Sequence, residues 1–187
     1  IGVIMKTLYT TKRLLLRVLD ESNAKSVLNF YNLNKSYFEP WEPDRVPGFY
    51  TEAFHKINLS YEAKMMNDGH FLRFWIFKKA APDVIIGSIS FSNILKGSMM
   101  SCLVGYKIDH YSAGSGFATE ALDTAIDIMF TEYGMHRIEA LVHPDNKPSQ
   151  RIMEKLNFVY EGTARSSVKM DGVWEDHLRY ALINLTN

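Results

Sequence analysis

The spacing of hydrophobic residues changes several times along the chain, and the first third predicts a strand followed by two helices. The apolar run from Arg13 to Leu19 predicts the strand, and Asp20 is a good N-cap for the helix after it. Thr51 can cap a second helix that ends near Asn67. The apolar faces of these helices are predicted to carry Ala24, Val27, Leu28 and Tyr31 in the first, and Phe54, Ile57, Tyr61 and Met65 in the second.

The segment between these two helices, Tyr37 to Tyr50, mixes prolines with aromatic residues. Proline opposes regular structure, while aromatic rings supply large contact surfaces. We therefore expect an ordered loop near a functional site.

After Gly69 the hydrophobic period becomes two, which is typical of strands. The alternation predicts strands at 72–76, at Val84 to Phe91 with a bulge at Gly87, and at Met100 to Ile108. Because short turns join these three strands, they are expected to form an antiparallel meander.

Helical spacing returns from Phe117 to Tyr133, and Gly134 ends that helix. The segment Arg137 to His143 alternates again, so the helix is a crossover of the length that a parallel strand pair requires. The apolar face of the helix comprises Phe117, Ala121, Ala125, Ile128, Met129 and Tyr133.

The last quarter predicts a short helix and a hairpin. Pro148 suits the first helical turn, Ile152 and Leu156 share the buried side, and Asn157 closes the helix. Two final strands flank the Asp-Gly turn within Met170 to Val173. The element order is therefore β-α-α-β-β-β-α-β-α-β-β, a mixed α/β arrangement in one domain.

Composition excludes several classes of protein. The 187 residues carry 21 basic and 21 acidic side chains, so there is no basic footprint for a nucleic acid. The lone Cys102 excludes an intramolecular disulfide, and no Cys/His spacing predicts a metal site, which suggests a reducing cytoplasm. No apolar run could span a bilayer, and the start is too short for a signal peptide. Residues 1–10 are interpreted as an N-terminal extension, within which Met5 could be the natural start.

The stretch HYSAGSGFATEAL, from His110 to Leu122, places two glycines just before a helix. Such a turn directs several backbone N–H groups toward one point, where an anion can bind. A nucleotide-binding P-loop would need Lys-Ser or Lys-Thr after the second glycine, where Phe117-Ala118 stands, and a dinucleotide fold would repeat βαβ units. The pyrophosphate of coenzyme A is a remaining candidate, and a glycine turn that merely starts a helix is the simpler alternative.

At this point the sequence resembles the GCN5-related N-acetyltransferases, in their ribosomal-protein acetyltransferase-like branch. The resemblance rests on the order and spacing of TKRLLLR (11–17), IIGSISF (85–91), GYKID (105–109), GSGFATEAL (114–122), HRIEALVHPDNKPSQRIMEKLNF (136–158) and DGVWEDH (171–177). It implies the acyl-CoA N-acyltransferase fold in a single domain at 11–187, with a splayed central strand pair. It also implies acetyl-CoA as cosubstrate.

The resemblance further implies where acetyl-CoA would bind. The pantetheine arm would pair with the backbone of the strand that contains Tyr106, Lys107 and Ile108. The pyrophosphate would lie on the glycine turn, formed by Gly114, Ser115, Gly116, Phe117, Ala118 and Thr119. The family usually has Gln or Arg where this chain has Ala113, a departure that removes one side-chain donor but leaves the backbone groups.

Asn146 and Ser149 match the family's Asn-x-x-Ser motif. By resemblance, Asn146 contacts pantetheine, and Ser149 both lies at the cofactor and donates a proton to the departing thiolate. Many relatives give that second role to a Tyr that would fall at Met153 here. Helix capping is an equal alternative for this pair, since Asn146 is a good N-cap and Ser149 occupies N3.

Acetyl transfer needs a neutral amine, and several side chains are candidates to assist it. Glu42, Asp44 and Glu139 could act as a base through water, and Glu42 is the carboxylate assigned to catalysis. His143 and His177 could titrate near neutral pH. Trp41, Glu42 and His143 are assigned to the acceptor substrate.

Three functions remain open from the sequence. The first is acetylation of a protein or peptide N-terminus, and the second is acetylation of a small amine such as a polyamine, an amino acid or an aminoglycoside. The third, suggested by the missing Gln/Arg and Tyr, is a coenzyme-A-binding sensor without catalysis. The protein is expected to be a monomer or a homodimer.

Overall fold

The computed structural model describes residues 6–186 and contains one eight-stranded sheet. Residues 1–5 of the expected N-terminal extension lie outside this range. The strands are β1 (Leu8–Thr10), β2 (Leu14–Arg17), β3 (Leu72–Lys78), β4 (Ala81–Leu95), β5 (Ser101–Ile108), β6 (Arg137–Val142), β7 (Val159–Met170) and β8 (Val173–Ile183). Their order across the sheet is β1-β2-β3-β4-β5-β6-β8-β7, and every pair is antiparallel except β5 with β6.

Five helices connect the strands: α1 (Ala24–Leu33), α2 (Lys35–Phe38), α3 (Glu52–Asn67), α4 (Phe117–Thr131) and α5 (Lys147–Lys155). Short 3-10 turns precede α1 and follow α2. The predicted cap at Thr51 is confirmed, since Thr51 Oγ1 accepts from Phe54 N at 3.2 Å. The Asp20 side chain accepts from Ser22 N, but it caps the 3-10 turn before α1 rather than α1 itself, whose N-cap is Asn23. Asn157 takes a positive φ of 63° just after α5, as expected for a residue that tolerates left-handed backbone angles.

The sheet separates two hydrophobic cores. On one face, α4 and α5 pack against the sheet around Phe74, Phe91, Leu122, Met129 and Ile138, all fully buried. On the other face, a second core joins α1 and α3 to the sheet and contains Val27, Phe30, Tyr31, Leu59, Trp75 and Phe77. Because the two cores lie on opposite faces, adjacent residues of a central strand point into different environments.

The parallel strands β5 and β6 pair over only part of their length. Ser101 to Val104 lie beside Arg137 to Ala140, and no pairing continues beyond that point. Farther along, β5 keeps β4 as its partner but has no strand on its β6 side. The expected splay of the central strand pair is confirmed, and it opens a slot between Gly105–Ile108 and the end of β6.

A β-bulge at Gly87 is also confirmed. Gly87 pairs with Ile76 and Ile85 pairs with Phe77, which leaves Ile86 as the extra residue. A Cβ at Gly87 would collide with the carbonyl oxygen of Lys107 on β5. Glycine is therefore required at this position of β4, next to the Lys107 carbonyl of β5.

Three sequence expectations differ from the structure. Leu8–Thr10, in the segment interpreted as an extension, forms β1 and pairs with β2. The expected loop at 37–50 begins with the end of α2 and a 3-10 turn at Glu39–Trp41. The packing face predicted for α3 is wrong in part: Ile57 and Tyr61 are exposed, and His55 and Leu59 are buried instead. Helical spacing alone does not distinguish the buried side of α3 from its exposed side, because apolar residues occur on both.

Candidate active site

A cavity of about 1030 Å³ lies where β5 and β6 diverge. Its walls come from both strands, the glycine turn before α4, the first turns of α5, and the helices on the opposite face. The gap between the diverging strands thus connects the two faces of the sheet, and side chains from both faces can contact a ligand bound in it.

The glycine turn has the conformation that its sequence predicts. Gly114 and Gly116 have φ angles of +76° and +77°, and Gly116 is the N-cap of α4. A side chain at either position would be strained by the backbone, although neither site is crowded. Among the predicted cofactor residues of this turn, Gly114, Gly116, Phe117, Ala118 and Thr119 line the cavity. The backbone of Ser115 instead faces Arg13, whose Nη1 donates to its carbonyl oxygen at 3.1 Å.

The groups present fit coenzyme A. Open glycines at a helix N-terminus suit a pyrophosphate, and the unpaired edge of β5 beyond Val104 can accept an extended arm. Tyr106, Lys107 and Ile108 all line the cavity, as do Asn146 and Ser149. Among residues 6–186, no group of His, Cys, Asp and Glu is arranged to hold a metal ion.

Tyr106 and Ser149 form a hydroxyl pair on the α5 side of the slot. Their oxygens are 2.8 Å apart, and burial raises the pKa of Tyr106 to about 12, with the Ser149 hydrogen bond acting in the opposite direction. Asn146 is the helix cap, since its side-chain oxygen accepts from Ser149 N at 3.1 Å. The Ser149 hydroxyl bonds Tyr106, so capping does not occupy it. Met153, at the usual position of the family's Tyr, is fully buried.

Lys107 follows Tyr106 on β5 and points to the other face. Its ammonium contacts the Glu42 carboxylate, and that carboxylate also contacts Arg45. Burial lowers the pKa of Lys107 to about 8, and the guanidiniums of Arg45 and Arg73 act in the same direction. Tyr31 opposes this lowering of the Lys107 pKa, because its side chain interacts favourably with the charged lysine.

Further polar side chains lie behind this ion pair. Arg73 binds Glu62 through two contacts of 2.9 and 3.0 Å, and the His55 ring stacks on Tyr31 with centroids 5.3 Å apart. Burial lowers the pKa of His55 to about 4, so its imidazole is neutral at pH 7. We call this part of the cavity the acceptor chamber, because it contains two of the residues that the sequence analysis assigned to the acceptor. It is defined by Tyr31, Trp41, Glu42, Arg45, His55, Glu62, Arg73 and Lys107.

An aromatic group joins the acceptor chamber to the end of β6. The His143 ring lies 5.9 Å from Trp41 and 5.6 Å from His177, centroid to centroid, and all three line the cavity. His143 Nδ1 accepts from Asp145 N at 3.2 Å, so its Nε2 carries the hydrogen when the ring is neutral. The three acceptor residues predicted from sequence, Trp41, Glu42 and His143, are therefore brought together.

Two other carboxylates considered from the sequence lie elsewhere. Asp44 accepts from the backbone N–H groups of Asp171 and Gly172, at 2.6 and 3.0 Å, and so fastens the β7–β8 turn. Glu139 pairs with Arg137 Nε at 2.7 Å. The Asp44 and Glu139 carboxylates are therefore both engaged in intramolecular structural contacts.

Sequence reasoning missed five residues of the acceptor chamber: Tyr31, Arg45, His55, Glu62 and Arg73. They come from α1, the loop after α2, α3 and β3, and no local motif connects them. Tyr31 was recognised only as part of a helix's apolar face. A carboxylate and a guanidinium eleven residues apart, such as Glu62 and Arg73, are a common surface pattern and carry no signal by themselves.

The splayed strands, the glycine turn and the hydroxyl pair together define an acyl-CoA-dependent acyltransferase. Residues 13–159 match the acetyltransferase (GNAT) domain family. The probable N-acetyltransferase YjcK of Bacillus subtilis (strain 168) is 36% identical over 92% of this chain and 95% of its own. The [ribosomal protein uS5]-alanine N-acetyltransferase of Escherichia coli (strain K12) is 33% identical over 95% and 91%.

A solved structure supports the same assignment. RimJ of Mycobacterium smegmatis in complex with CoA-disulfide superimposes with a TM-score of 0.86 at 27% identity, covering 95% of this chain and 87% of that one. The chain belongs to the GNAT acetyltransferase family, and the protein is an acetyl-CoA-dependent N-acetyltransferase.

Proposed function

We propose that this enzyme acetylates the α-amine at the N-terminus of a protein or peptide, with a ribosomal protein as the acceptor. The name of the Escherichia coli relative, which specifies an alanine of ribosomal protein uS5, supports this acceptor class. The free, buried thiol of Cys102 is typical of a reducing compartment and supports a cytoplasmic location.

The charge of the acceptor chamber is the observation that favours a peptide over a small polycation. Glu42 is already bound to Lys107 and Arg45, and Glu62 is bound to Arg73. The chamber thus has three cationic side chains for its two carboxylates, and neither carboxylate is free to bind an incoming ammonium. A polyamine or aminoglycoside would bring several positive charges into this environment, which is electrostatically unfavourable.

An α-amine also asks little of a catalytic base. Its ordinary pKa of about 8 leaves roughly a tenth of the molecules neutral at pH 7, whereas a lysine amine near 10.4 is neutral in about one molecule in 2,500. The enzyme can therefore work largely by alignment of the two reactants. We assign Glu42 to holding Lys107 and Arg45 in place, because its carboxylate already contacts both cations.

Ser149 is the residue that we assign to protonation of the leaving group. When bound, acetyl-CoA supplies an activated acetyl thioester, and its sulfur needs a proton as the acetyl group is transferred. Ser149 lines the slot with its hydroxyl free of capping duty, and Tyr106, 2.8 Å away, can donate a hydrogen bond to Ser149 Oγ. This arrangement leaves the Ser149 proton directed away from Tyr106, while Asn146 fixes the first turn of α5.

Trp41 and His143 are assigned to the acceptor's path. Trp41 is 41% exposed, so it can contact a peptide that enters from solvent, and the His143 ring lies against it. An apolar first side chain could pack on Trp41.

The test is a thiol-release assay with acetyl-CoA and three acceptors. These are a peptide that begins with alanine, the same peptide with a blocked N-terminus and one internal lysine, and spermidine. We expect release with the first peptide alone, and mass spectrometry should place the acetyl group on its α-amine. Release with spermidine alone would instead establish a small-amine enzyme, and binding of acetyl-CoA without release on any amine would favour the sensor.

A further inference from the structure

The TKRLLLR segment lies against the glycine turn, although it is about a hundred residues away in the sequence. Thr11 Oγ1 and Arg13 N donate to one oxygen of Glu120, at 2.6 and 2.7 Å, and Arg13 Nε donates to the other at 2.6 Å. Glu120 belongs to the first turn of α4, where a carboxylate is favoured by the helix dipole. Three hydrogen bonds therefore attach the start of β2 to the start of α4.

The Arg13 side chain continues past Glu120 to the turn itself. Its Nη1 donates to the Ser115 carbonyl oxygen at 3.1 Å, and its guanidinium lies over the Phe117 ring at 4.4 Å. A Cβ built on Gly116 would be 3.5 Å from Arg13 Nη2. Arg13 thus contacts Ser115 and Phe117, the residues on either side of Gly116.

The direction of this hydrogen bond determines where the next amide points. In a trans peptide the C=O and N–H point in opposite directions, and residues 6–186 contain no cis peptide. Because the Ser115 carbonyl points at Arg13, the Gly116 N–H points away from it. Gly116 lines the cavity and Arg13 lies behind the turn, so this N–H is directed toward the cleft.

We propose that Arg13 is a positioning residue for the cofactor: it holds the Ser115–Gly116 peptide from behind, so that the Gly116 N–H faces the pyrophosphate of acetyl-CoA. This inference rests on the proposed placement of the pyrophosphate on the glycine turn.

The role of Arg13 is geometric rather than one of charge. Its guanidinium is neutralised by Glu120, and hydrogen bonds from Thr11 and Arg13 hold the pKa of that carboxyl below its usual value, although burial acts against them. A lysine at position 13 would keep the positive charge but could not bind Glu120 and Ser115 together with one planar group. Arg13→Lys should therefore behave like Arg13→Ala.

The experiment compares dissociation constants for acetyl-CoA and for S-acetylpantetheine, which lacks the pyrophosphate, in the full-length protein. Arg13→Ala and Arg13→Lys are each expected to weaken acetyl-CoA binding about three- to tenfold, the effect of one or two hydrogen bonds, and to leave S-acetylpantetheine binding within twofold. The matched control is Arg17→Ala at the other end of β2, where the guanidinium lies over Phe77 and donates to the Pro82 carbonyl instead. This control should bind both ligands as the wild type does.

Each alternative outcome has a distinct meaning. Wild-type affinity in Arg13→Lys would overturn the geometric role, because charge would then suffice, and wild-type affinity in Arg13→Ala would overturn any role. An equal loss for both ligands would mean general damage to the fold and would also overturn the proposal. If the wild type binds acetyl-CoA no more tightly than S-acetylpantetheine, the pyrophosphate does not bind at the turn. The proposed placement of the cofactor would then be wrong, and the role of Arg13 would fall with it.

Discussion

The two faces of β5 differ in charge where β5 and β6 diverge. On one face the hydroxyl of Tyr106 on β5 forms a hydrogen bond with the hydroxyl of Ser149 in the first turn of α5. On the other face Lys107 meets Glu42 in a network of buried ions. Tyr106 and Lys107 are adjacent in β5, yet the first lies in a neutral, hydrogen-bonded environment and the second in a strongly charged one.

The two halves of the cavity also differ in what builds them. The half of the cavity that we propose for acetyl-CoA, the cofactor half, is formed largely by backbone: two glycines with positive φ, a helix N-terminus and an unpaired strand edge. The acceptor chamber is formed by side chains from α1, α3, β3 and the loop after α2. Backbone N–H groups remain when a side chain is replaced, whereas a chamber built from side chains changes its charge and shape with the residues that line it. In the proposed function the first half would therefore hold the cofactor and the second would select the acceptor.

The largest expected effect comes from breaking the cofactor half alone. Gly116→Val forces a β-branched residue into a φ of +77°, and a strain of about 2 kcal/mol would reshape the turn and weaken acetyl-CoA binding roughly thirtyfold. The measurement is calorimetric titration with acetyl-CoA. Gly97→Val is the matched control, since Gly97 has a φ of +72° in an exposed turn away from the cleft. Wild-type affinity in a folded Gly116→Val variant would contradict a role for this turn.

A smaller effect is expected at the hydroxyl pair. Ser149→Ala should lower turnover at least about tenfold with little change in acetyl-CoA affinity, because it removes a proton donor rather than a binding contact. Tyr106→Phe should lower turnover about threefold, and the double variant should be no slower than Ser149→Ala, since the tyrosine acts through the serine. Single-turnover rates would show this directly.

The control for the hydroxyl pair is Tyr111→Phe, a change at a residue that is 87% exposed. It should keep full turnover. If the effects of Ser149→Ala and Tyr106→Phe multiply in the double variant, the two hydroxyls act independently and the assignment of Tyr106 behind Ser149 fails.

Much of the fold could be predicted from the sequence because local signals were strong there. The alternation of apolar and polar residues predicts β3, β4, β5 and β6. Helical spacing predicts α4, and Gly116 indicates where that helix begins. The failures have a physical cause. The three residues of β1 are too few for a period to show, and α3 has apolar residues on both its buried and its exposed rows.

The two halves of the cavity also differ in how far the sequence predicts them. The glycine turn of the cofactor half is continuous in sequence, so one motif reveals it. The acceptor chamber depends on tertiary packing: Arg73 reaches Glu62 only because α3 folds back over β3, and Lys107 reaches Glu42 only because the loop after α2 closes over β5. Trp41, Glu42 and His143 were predicted individually, but their common environment could not be read from the chain.

The smallest expected effect tests whether the acceptor chamber is separate from the cofactor half. His55 is 1% exposed, its Nε2 has no hydrogen-bond partner among residues 6–186, and burial lowers its pKa from 6.5 to about 4. Arg45 and Arg73 face it and act in the same direction, while the Phe49 carbonyl opposes them. Between pH 6.5 and 4 the unfolded chain binds a proton at this residue that the folded protein does not, so this residue makes stability fall as pH falls.

Replacing His55 with phenylalanine removes that titration and keeps an aromatic ring against Tyr31. Urea unfolding between pH 7 and pH 4.5 should show that the free energy of unfolding falls less steeply with decreasing pH in His55→Phe than in the wild type. Parallel pH profiles would mean that His55 is protonated as easily in the folded state as in the unfolded state. Acetyl-CoA affinity should be unchanged in the same variant, because no contact of His55 reaches the glycine turn. A loss of cofactor affinity there would show that the two halves of the cavity are coupled through Tyr31 and β5.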